Sequence, residues 1–286
     1  MMSFVVALAC LVPALLLGGF ISGVDRRLTA RLQSRMGPPL LQPFYDVLKL
    51  WGKAPCVSHP WLVFSAYMYL VSSALTVLIL FMGGDLLLIF FVFTVGAVFQ
   101  VCGALAVNSP YSQVGAQREL LQMLAYEPIL ILVFIGIFLG SDDFLVASIF
   151  KQESPLLLKM PLLYIALGYA LTIKLRKSPF DISASHHGHQ ELVKGVLTEY
   201  SGRELAMLEI GHWLDVIFML GLCALFWHTS LIGMALLLIV TYAAEVLIDN
   251  ISARMTWQWM LKNALYVCLA MCVVNILWLY VARNAL

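Results

Sequence analysis

Acidic side chains and a histidine recur at helical spacing inside one strongly apolar stretch of this chain. Glu209, His212 and Asp215 follow one another at intervals of three residues, so we expect them on one face of a helix. Histidine and carboxyl groups held together can pass protons near neutral pH, because burial and neighbouring charges move their pKa values toward one another. A hydrogen-bonded contact between two helices explains the same residues. The spacing therefore predicts either a proton-handling helix face or a polar helix contact.

A second apolar stretch carries two carboxylates one helical turn apart, Glu245 and Asp249. An ionised acid at the centre of a bilayer is unfavourable by about 2.5–3.5 kcal/mol unless it has a partner. An ion pair with Arg254 is a simple explanation for Asp249, whereas Glu245 lies further from the polar end of the stretch. Glu245 is therefore a candidate proton site.

A third apolar stretch contains Glu119 and Glu127. Glu119 stands beside Arg118, so a surface ion pair explains it as well as a functional role does. Glu127 lies deeper and is followed by Pro128. Proline removes one helical hydrogen bond and leaves a carbonyl free inside the membrane, where a water or proton path can pass. Glu127 is the strongest candidate for a proton site within the membrane.

Residues 174–204 form a polar island with five cations, four carboxylates and three histidines. Such a cluster beside membrane helices usually serves ion movement or partner docking, and a solvated loop between two spans is the simpler alternative. The histidines could ligate a metal, but a site made of histidines alone needs a further ligand and a fixed geometry. Hydrogen bonding or docking is the commoner role for such a group, which consists of His186, His187 and His189.

The elements that must position these groups are membrane helices. The chain has 286 residues, is 62% hydrophobic and has a mean hydropathy of +0.93, which excludes an ordinary soluble domain. Crossing the hydrocarbon takes about 20 apolar residues. We therefore predict an all-α membrane protein, with residues 1–286 forming a single integral membrane domain. Eight spans are expected, at 3–22, 60–82, 86–107, 119–140, 156–174, 205–227, 231–250 and 257–281.

The distribution of lysine and arginine predicts the orientation of these spans. With eight spans, 14 of the 17 cations fall on one side, chiefly in the first and fifth loops, and such an excess marks the cytoplasmic side. Both termini should therefore lie outside a multi-pass protein of the cell (inner) membrane, with the long loops in the cytoplasm. The net charge of only +1 gives no reason to expect a nucleic-acid partner.

Amphipathic helices are expected at the cytoplasmic surface, in the first and fifth loops. Arg27, Arg31 and Arg35 recur every four residues and give one helix a basic stripe. Gly37 and the prolines after it end that helix. A second segment follows with an apolar face and with Asp46 and Lys49 on other faces. These segments fit either a docking surface or interfacial anchors.

The six cysteines form no CxxC pair, and five of them lie in predicted spans. Buried cysteine usually behaves as a small hydrophobic residue. A metal cluster held by this chain alone is therefore not expected.

Two loop motifs carry a resemblance to a known family. The first is the segment SPFDISASHHGHQELVKGVLTEYSG, with a PFD…ELV…EYSG pattern formed by Pro179, Phe180, Asp181, Glu191, Leu192, Val193, Glu199, Tyr200, Ser201 and Gly202. This pattern resembles the loop between spans 5 and 6 of the H-type membrane subunits of NADH-quinone oxidoreductase (complex I). The stretch QSRMGPPLLQPFYDVLKL is similar to the family's first loop, matching at Gln33, Arg35, Gly37, Pro38, Gln42, Pro43, Asp46 and Lys49. Tyr126 and Glu127 fit the YE pair of span 4. The resemblance runs through nearly the whole chain in order.

Two departures favour one branch of the family. Only Pro39 separates Gly37-Pro38 from LLQP, where the quinone enzymes have a longer insert, and SHHGHQ replaces their acidic run. Both features look like the membrane subunit of energy-converting (Ech and Mbh type) [NiFe] hydrogenases. The resemblance then implies a ferredoxin-linked complex whose large and small hydrogenase subunits carry [NiFe] and [4Fe-4S] clusters, with an antiporter-like membrane subunit beside it and no redox centre in this chain.

The resemblance also implies roles for residues. Asp181, Glu191 and Glu199 would couple redox chemistry above the membrane to proton or Na⁺ transport. The intramembrane acids named above, with His212, would carry the ion. The docking face would comprise Arg27, Arg35, Asp46, Lys49, Arg203 and the loop histidines. The alternatives are a quinone-site subunit of an NADH-quinone oxidoreductase, a passive anchor with pumping elsewhere, and a free-standing secondary transporter, for which the inverted repeat is not visible.

Overall fold

The computed structural model describes residues 4–54, 56, 59–180, 183 and 194–284. Within these ranges the secondary structure is helical, and no strand forms beyond an isolated bridge between Asp85 and Leu145. The first helices are α1 Phe4–Leu32, α2 Gln42–Gly52, α3 Pro60–Phe81, α4 Leu86–Leu105, α5 Pro110–Ser141, α6 Val146–Ile149, α7 Leu156–Lys159 and α8 Pro161–Lys174. They are followed by α9 Gly202–Leu225, α10 Leu231–Ile251, α11 Trp257–Lys262 and α12 Leu269–Asn284.

Seven helices of the described chain are long and apolar enough to cross a membrane. They are α1, α3, α4, α5, α9, α10 and the continuous run Trp257–Arg283, in which a π-helical segment, Asn263–Cys268, joins α11 to α12. The eighth apolar segment is α8, which has only 14 residues. The prediction of an all-α membrane protein is confirmed.

Local sequence signals set several helix starts. The side chain of His59 accepts a hydrogen bond from the Trp61 amide at 3.2 Å, just before Pro60 opens α3. Asp85 accepts from the Leu87 amide at 2.7 Å and caps α4. Such caps satisfy amides that have no partner within the helix. His59 and Asp85 therefore fix the first residues of α3 and α4, which hydropathy alone places only approximately.

The first loop differs from its prediction. The basic stripe does not belong to a separate surface helix, because α1 continues without a break from Phe4 to Leu32. The chain does leave the helix before Gly37, and the second predicted amphipathic segment is present as α2. In the fifth loop the described residues contain a 3-10 turn, Gly195–Leu197, and the remainder of that predicted surface helix lies outside the described residues.

Helix α9 lies at the centre of the bundle. In its apolar window 72% of the residues are buried, against 11% in α10. Glycines allow close approach: a Cβ at Gly211 would lie 2.5 Å from the Tyr69 ring, and one at Gly18 would lie 2.7 Å from the Trp213 carbonyl oxygen. Small residues serve helix packing in this way inside membranes. The polar groups of α9 are therefore surrounded by protein.

Candidate functional site

A buried ion pair joins α8 to α9. The Nζ atom of Lys174 lies 3.1 Å from Oδ2 of Asp215, and the side chains are only 8% and 4% exposed. Asp215 also accepts hydrogen bonds from the Tyr69 hydroxyl at 2.8 Å and the Ser73 hydroxyl at 2.7 Å. Three donors around one carboxylate satisfy its oxygen atoms inside the bundle. The predicted run of Glu209, His212 and Asp215 is thus divided, because Asp215 binds Lys174 and α3.

This ion pair lies at mid-depth in the bundle. Asp215 is near the middle of the 24-residue α9, and Tyr69 is near the middle of the 22-residue α3. Lys174 is nevertheless the last residue of α8. Helix α8 therefore ends halfway through the protein, and Lys174, which the sequence places at the start of the fifth loop, is buried.

Aromatic rings cover the ammonium group of Lys174. Its Nζ atom lies 4.3 Å from the centre of the Phe93 ring and 5.5 Å from that of Tyr126. Such rings attract a cation through their quadrupole. Glu127 follows Tyr126 directly, and the Lys174 charge acts on its carboxyl group. Glu127 therefore lies within the electrostatic range of a buried lysine.

A second buried lysine serves another helix. Lys177 is 5% exposed, and its Nζ atom lies 2.7 Å from Oδ1 of Asp25 on α1. The same nitrogen lies 4.7 Å from the centre of the Tyr242 ring on α10. Glu245, three residues after Tyr242, is 3% exposed and experiences the Lys177 charge. Lys177 therefore links α1 to α10, and it is buried although the sequence places it in the fifth loop.

Arg176 stands between the two lysines in a left-handed backbone conformation, with φ of 54°. Its guanidinium group has three carboxylates nearby, which belong to Glu119, Glu209 and Asp215. Glu119 is itself 3% exposed, so it is not the surface carboxylate that its position beside Arg118 suggested.

A cavity of about 550 Å³ opens beside these charges at the end of the bundle that carries the first and fifth loops. Its lining includes seven cations and four carboxylates: Arg26, Arg35, Lys49, Lys53, Arg176, Lys177, Lys194, Asp25, Asp46, Glu209 and Asp249. A cavity of about 90 Å³ adjoins it and is lined in part by Asp25, Lys177, Glu209 and His212. Glu209 and His212 therefore face a shared polar space, as their spacing predicts.

Several buried carboxyl oxygens have no hydrogen-bond partner within the described part of the chain. They belong to Glu119, Glu127, Glu204 and Glu245. A buried carboxylate without partners is strongly disfavoured. These groups are therefore suited to hold a proton or to contact water.

The start of the fifth loop is fastened to three parts of the bundle. The Ser178 amide donates to Asp249 on α10 at 2.9 Å, and the Gln122 side chain on α5 donates to the Phe180 carbonyl at 2.6 Å. The Met255 amide donates to the Pro179 carbonyl at 3.1 Å. The described start of the loop is therefore joined to the helices that carry Glu127 and Glu245.

The predicted docking residues have varied surroundings. Asp46 binds Arg26 at 2.8 Å across the cavity wall. Arg27 and Arg203 are exposed, and Arg35 and Lys49 are exposed side chains at the cavity edge. Glu199 is half-buried just before α9. Asp181, Glu191, His186, His187 and His189 lie outside the described residues, so their roles remain predictions.

Sequence reasoning missed the partners of the acids. The cations at the end of the apolar segment that forms α8 have the pattern of ordinary cytoplasmic anchors. They are Lys174, Arg176 and Lys177. A signal was available in the length of that segment after Pro161, which is too short for a complete span. Among the described residues, no group of three histidine, cysteine or carboxylate side chains is placed to hold a metal.

The fold and the buried charges define a polytopic membrane protein with ionisable groups at mid-depth. The profile of the NADH dehydrogenase family matches residues 5–280, and the chain belongs to that family.

Three relatives illustrate its breadth. The chain is 34% identical to hydrogenase-4 component C of Escherichia coli K12 over 233 residues, which covers 76% of this chain and 72% of that protein. It is 30% identical to formate hydrogenlyase subunit 4 of the same organism over 211 residues, covering 67% of this chain and 66% of that protein. It is 31% identical to NADH-ubiquinone oxidoreductase chain 1 of Salmo salar over 237 residues, which covers 76% of this chain and 72% of that protein.

A solved structure has the same fold. A chain of the archaeal membrane-bound sulfane sulfur reductase, a respiratory membrane complex, superposes with a TM-score of 0.86 over 96% of this chain and 99% of that chain. The identity is 23%, so the likeness concerns the fold.

Proposed function

We propose that this chain is the membrane-anchoring, ion-translocating subunit of a ferredoxin-linked energy-converting [NiFe] hydrogenase. Its buried carboxyl groups carry protons or Na⁺ while partner subunits perform the redox chemistry. Kinship with hydrogenase-4 component C and formate hydrogenlyase subunit 4 supports the hydrogenase branch. The short first-loop motif and the histidines of the fifth loop support it as well.

The observation that carries the proposal is the set of buried carboxyl oxygens that lack a hydrogen-bond partner among the described residues. Glu127 and Glu245, on two different helices, each have such an oxygen. An acid held only to stabilise the fold would have its oxygens hydrogen-bonded. An acid that alternately binds and releases an ion has to keep a site free.

The test uses the purified complex in sealed vesicles, driven by reduced ferredoxin. In Glu127→Gln we expect hydrogen evolution with an artificial electron donor to persist while ion uptake is lost. Glu153→Gln is the matched control, since Glu153 is an exposed acid outside the membrane helices. Full ion uptake in Glu127→Gln and in Glu245→Gln would contradict the proposal and favour a passive anchor.

A quinone-site subunit is the second candidate, and the cavity of about 550 Å³ favours it together with the kinship to NADH-ubiquinone oxidoreductase chain 1. The subunits that co-purify distinguish the two. A [NiFe] large subunit supports the hydrogenase, whereas an NADH-oxidising module with bound quinone supports the alternative.

A further inference from the structure

His228 lies between two backbone carbonyl groups, at the end of the bundle opposite the large polar cavity. Its Nε2 atom is 3.0 Å from the Gln152 carbonyl oxygen, and its Nδ1 atom is 3.3 Å from the Leu225 carbonyl oxygen. A carbonyl oxygen accepts hydrogen bonds and donates none. Both ring nitrogens of His228 therefore face acceptors.

The protonation state of the imidazole ring decides how many of these two contacts are hydrogen bonds. A neutral imidazole has a single N–H group, so its other nitrogen would present a lone pair to a carbonyl oxygen. An imidazolium ion donates from both nitrogens. The observed geometry is therefore fully satisfied only by the cation.

The position of His228 just after α9 also favours a positive charge. Leu225 is the last residue of α9, and the last carbonyl groups of a helix have no partner within that helix. They form the negative end of the helix dipole, which stabilises a cation such as protonated histidine. The Phe150 ring packs at a steep angle against the imidazole, with the ring centres 6.1 Å apart, and His228 is half-buried.

Through Gln152, His228 connects the ends of two long helices. The Gln152 side chain donates a hydrogen bond at 2.6 Å to the carbonyl of Gly140, near the end of α5. Further along the same connection, the Leu157 amide donates to the Phe226 carbonyl at 3.0 Å. The connection between α5 and α8 is therefore fastened to the end of α9 at two points, and one of these points is a titratable group.

The charged groups on the elements around His228 are exposed or have other partners. They are Lys151, Glu153 and Lys159 on the connection, Asp142 and Asp143 at the end of α5, and Arg283 at the end of α12. Asp142 pairs with Arg283 at 2.7 Å, and Asp143 accepts a hydrogen bond from the Leu145 amide at 3.3 Å. Within the described chain, no hydrogen bond or ion pair joins any of these groups to His228.

We propose that His228 is a pH-sensitive clamp, which fastens the connection between α5 and α8 to the end of α9 when its ring is protonated. In acid the imidazolium ion donates to both carbonyl groups. As the pH rises, loss of one proton removes one of these hydrogen bonds, and the connection opens more often. The clamp operates between about pH 5 and 8, where histidine changes its charge, and it does not depend on ion transport.

The experiment measures hydrogen–deuterium exchange of the purified, intact complex by mass spectrometry at about pH 5.5 and about pH 8. Dividing each rate by the intrinsic exchange rate at the same pH gives the protection of each peptide, which reports local opening. Protection of residues 150–158 should be about threefold or more higher at the lower pH, the effect expected from one additional hydrogen bond.

Two variants test the role of the ring. His228→Phe removes both donors and should give the lower protection at both pH values. His59→Asn is the matched control, because His59 caps α3 at the other end of the bundle and asparagine retains an acceptor, so the pH dependence at residues 150–158 should remain.

If His228→Phe does not assemble, His228→Gln provides an amide that does not titrate, and it should abolish the pH dependence as well. Equal protection of residues 150–158 at both pH values in the unaltered protein would overturn the proposal. PH dependence that persists in either His228 variant would also overturn it.

Discussion

Glu245 on α10 faces Gly168 on α8: an added Cβ at Gly168 would lie 3.9 Å from Oε1 of Glu245. One turn closer to the N-terminus of each helix, the hydroxyl groups of Tyr164 and Thr241 are hydrogen-bonded to each other. The two helices therefore present polar groups to each other over two turns. The missing side chain at Gly168 leaves the Glu245 carboxyl group room to move or to be hydrated.

Filling this space should impair ion transport. Gly168→Leu adds a branched side chain against Glu245 and should destabilise the packing by about 1–3 kcal/mol while lowering ion uptake in vesicles. Gly168→Ala is the matched control, because a contact near 3.9 Å is an ordinary van der Waals distance. Equal uptake by the alanine and leucine variants would show that the space has no role.

Removing one member of the buried ion pair should destabilise the protein. Asp215→Leu leaves the Lys174 ammonium group buried without its carboxylate, which costs about 3–5 kcal/mol. Thermal unfolding of the purified complex would measure the loss. The double variant with Lys174→Met should recover much of it, since an apolar pair replaces the ionic one.

The exposed pair between Arg283 and Asp142 provides a comparison, with side chains 51% and 71% exposed. Arg283→Met should change stability by less than about 1 kcal/mol. If Asp215→Leu and Arg283→Met lowered stability by similar amounts, burial would not determine how much each ion pair contributes to stability.

The hydrogen bond between Tyr200 and Ser65, 2.7 Å long, should stabilise the end of the fifth loop. Burial raises the pKa of Tyr200 to about 12, although the bond to Ser65 lowers it. A raised pKa means that the contribution is complete below the ordinary tyrosine pKa of about 10 and is lost as the pH rises through about 12. Tyr200→Phe should therefore cost about 0.5–1.5 kcal/mol at every pH from 6 to 9.

Melting temperatures across that range would test the prediction, with the exposed Tyr67 of α3 changed to phenylalanine as control. Between about pH 10 and 12 the difference between Tyr200→Phe and the unaltered protein should narrow. If the difference in melting temperature between Tyr200→Phe and the unaltered protein changed between pH 6 and 9, another titrating group would be responsible.

The predicted orientation can be tested by cysteine labelling. Cys56 is exposed beside the first loop, on the side that carries most of the cations. In a variant that keeps only Cys56, a membrane-impermeant maleimide should label inverted vesicles and spare intact spheroplasts. A cysteine placed at Lys151 should behave in the opposite way, and labelling of both sites from one side would reject the predicted topology.

The sequence predicts the helices well because hydropathy reports the environment of a whole segment. The spans near Pro60–Phe81, Leu86–Leu105 and Leu231–Ile251 agree with prediction within two residues. The continuation of α1 to Leu32 was missed, since a helix need not end where its apolar stretch ends. Hydropathy also does not predict which polar helix ends are buried, because that burial depends on the neighbouring helices.

The site was predicted only in part. Glu127 and Glu245 stand out because carboxylates are rare in apolar helices, and both are in fact buried or half-buried. The buried ion pair could not be identified from the sequence, because Lys174 and Asp215 are 41 residues apart and no local pattern joins them. The pairing is set by the point at which α8 stops, which is a property of the tertiary structure.

The early end of α8 has an electrical consequence. A charge that reaches Arg176 or Lys177 through the open cavity has already passed much of the protein's thickness. The membrane voltage would then fall mainly across the remaining half, where each elementary charge moved through 100 mV corresponds to about 2.3 kcal/mol. A helix that stops halfway therefore concentrates the transmembrane field on the segment between Lys174 and the opposite surface.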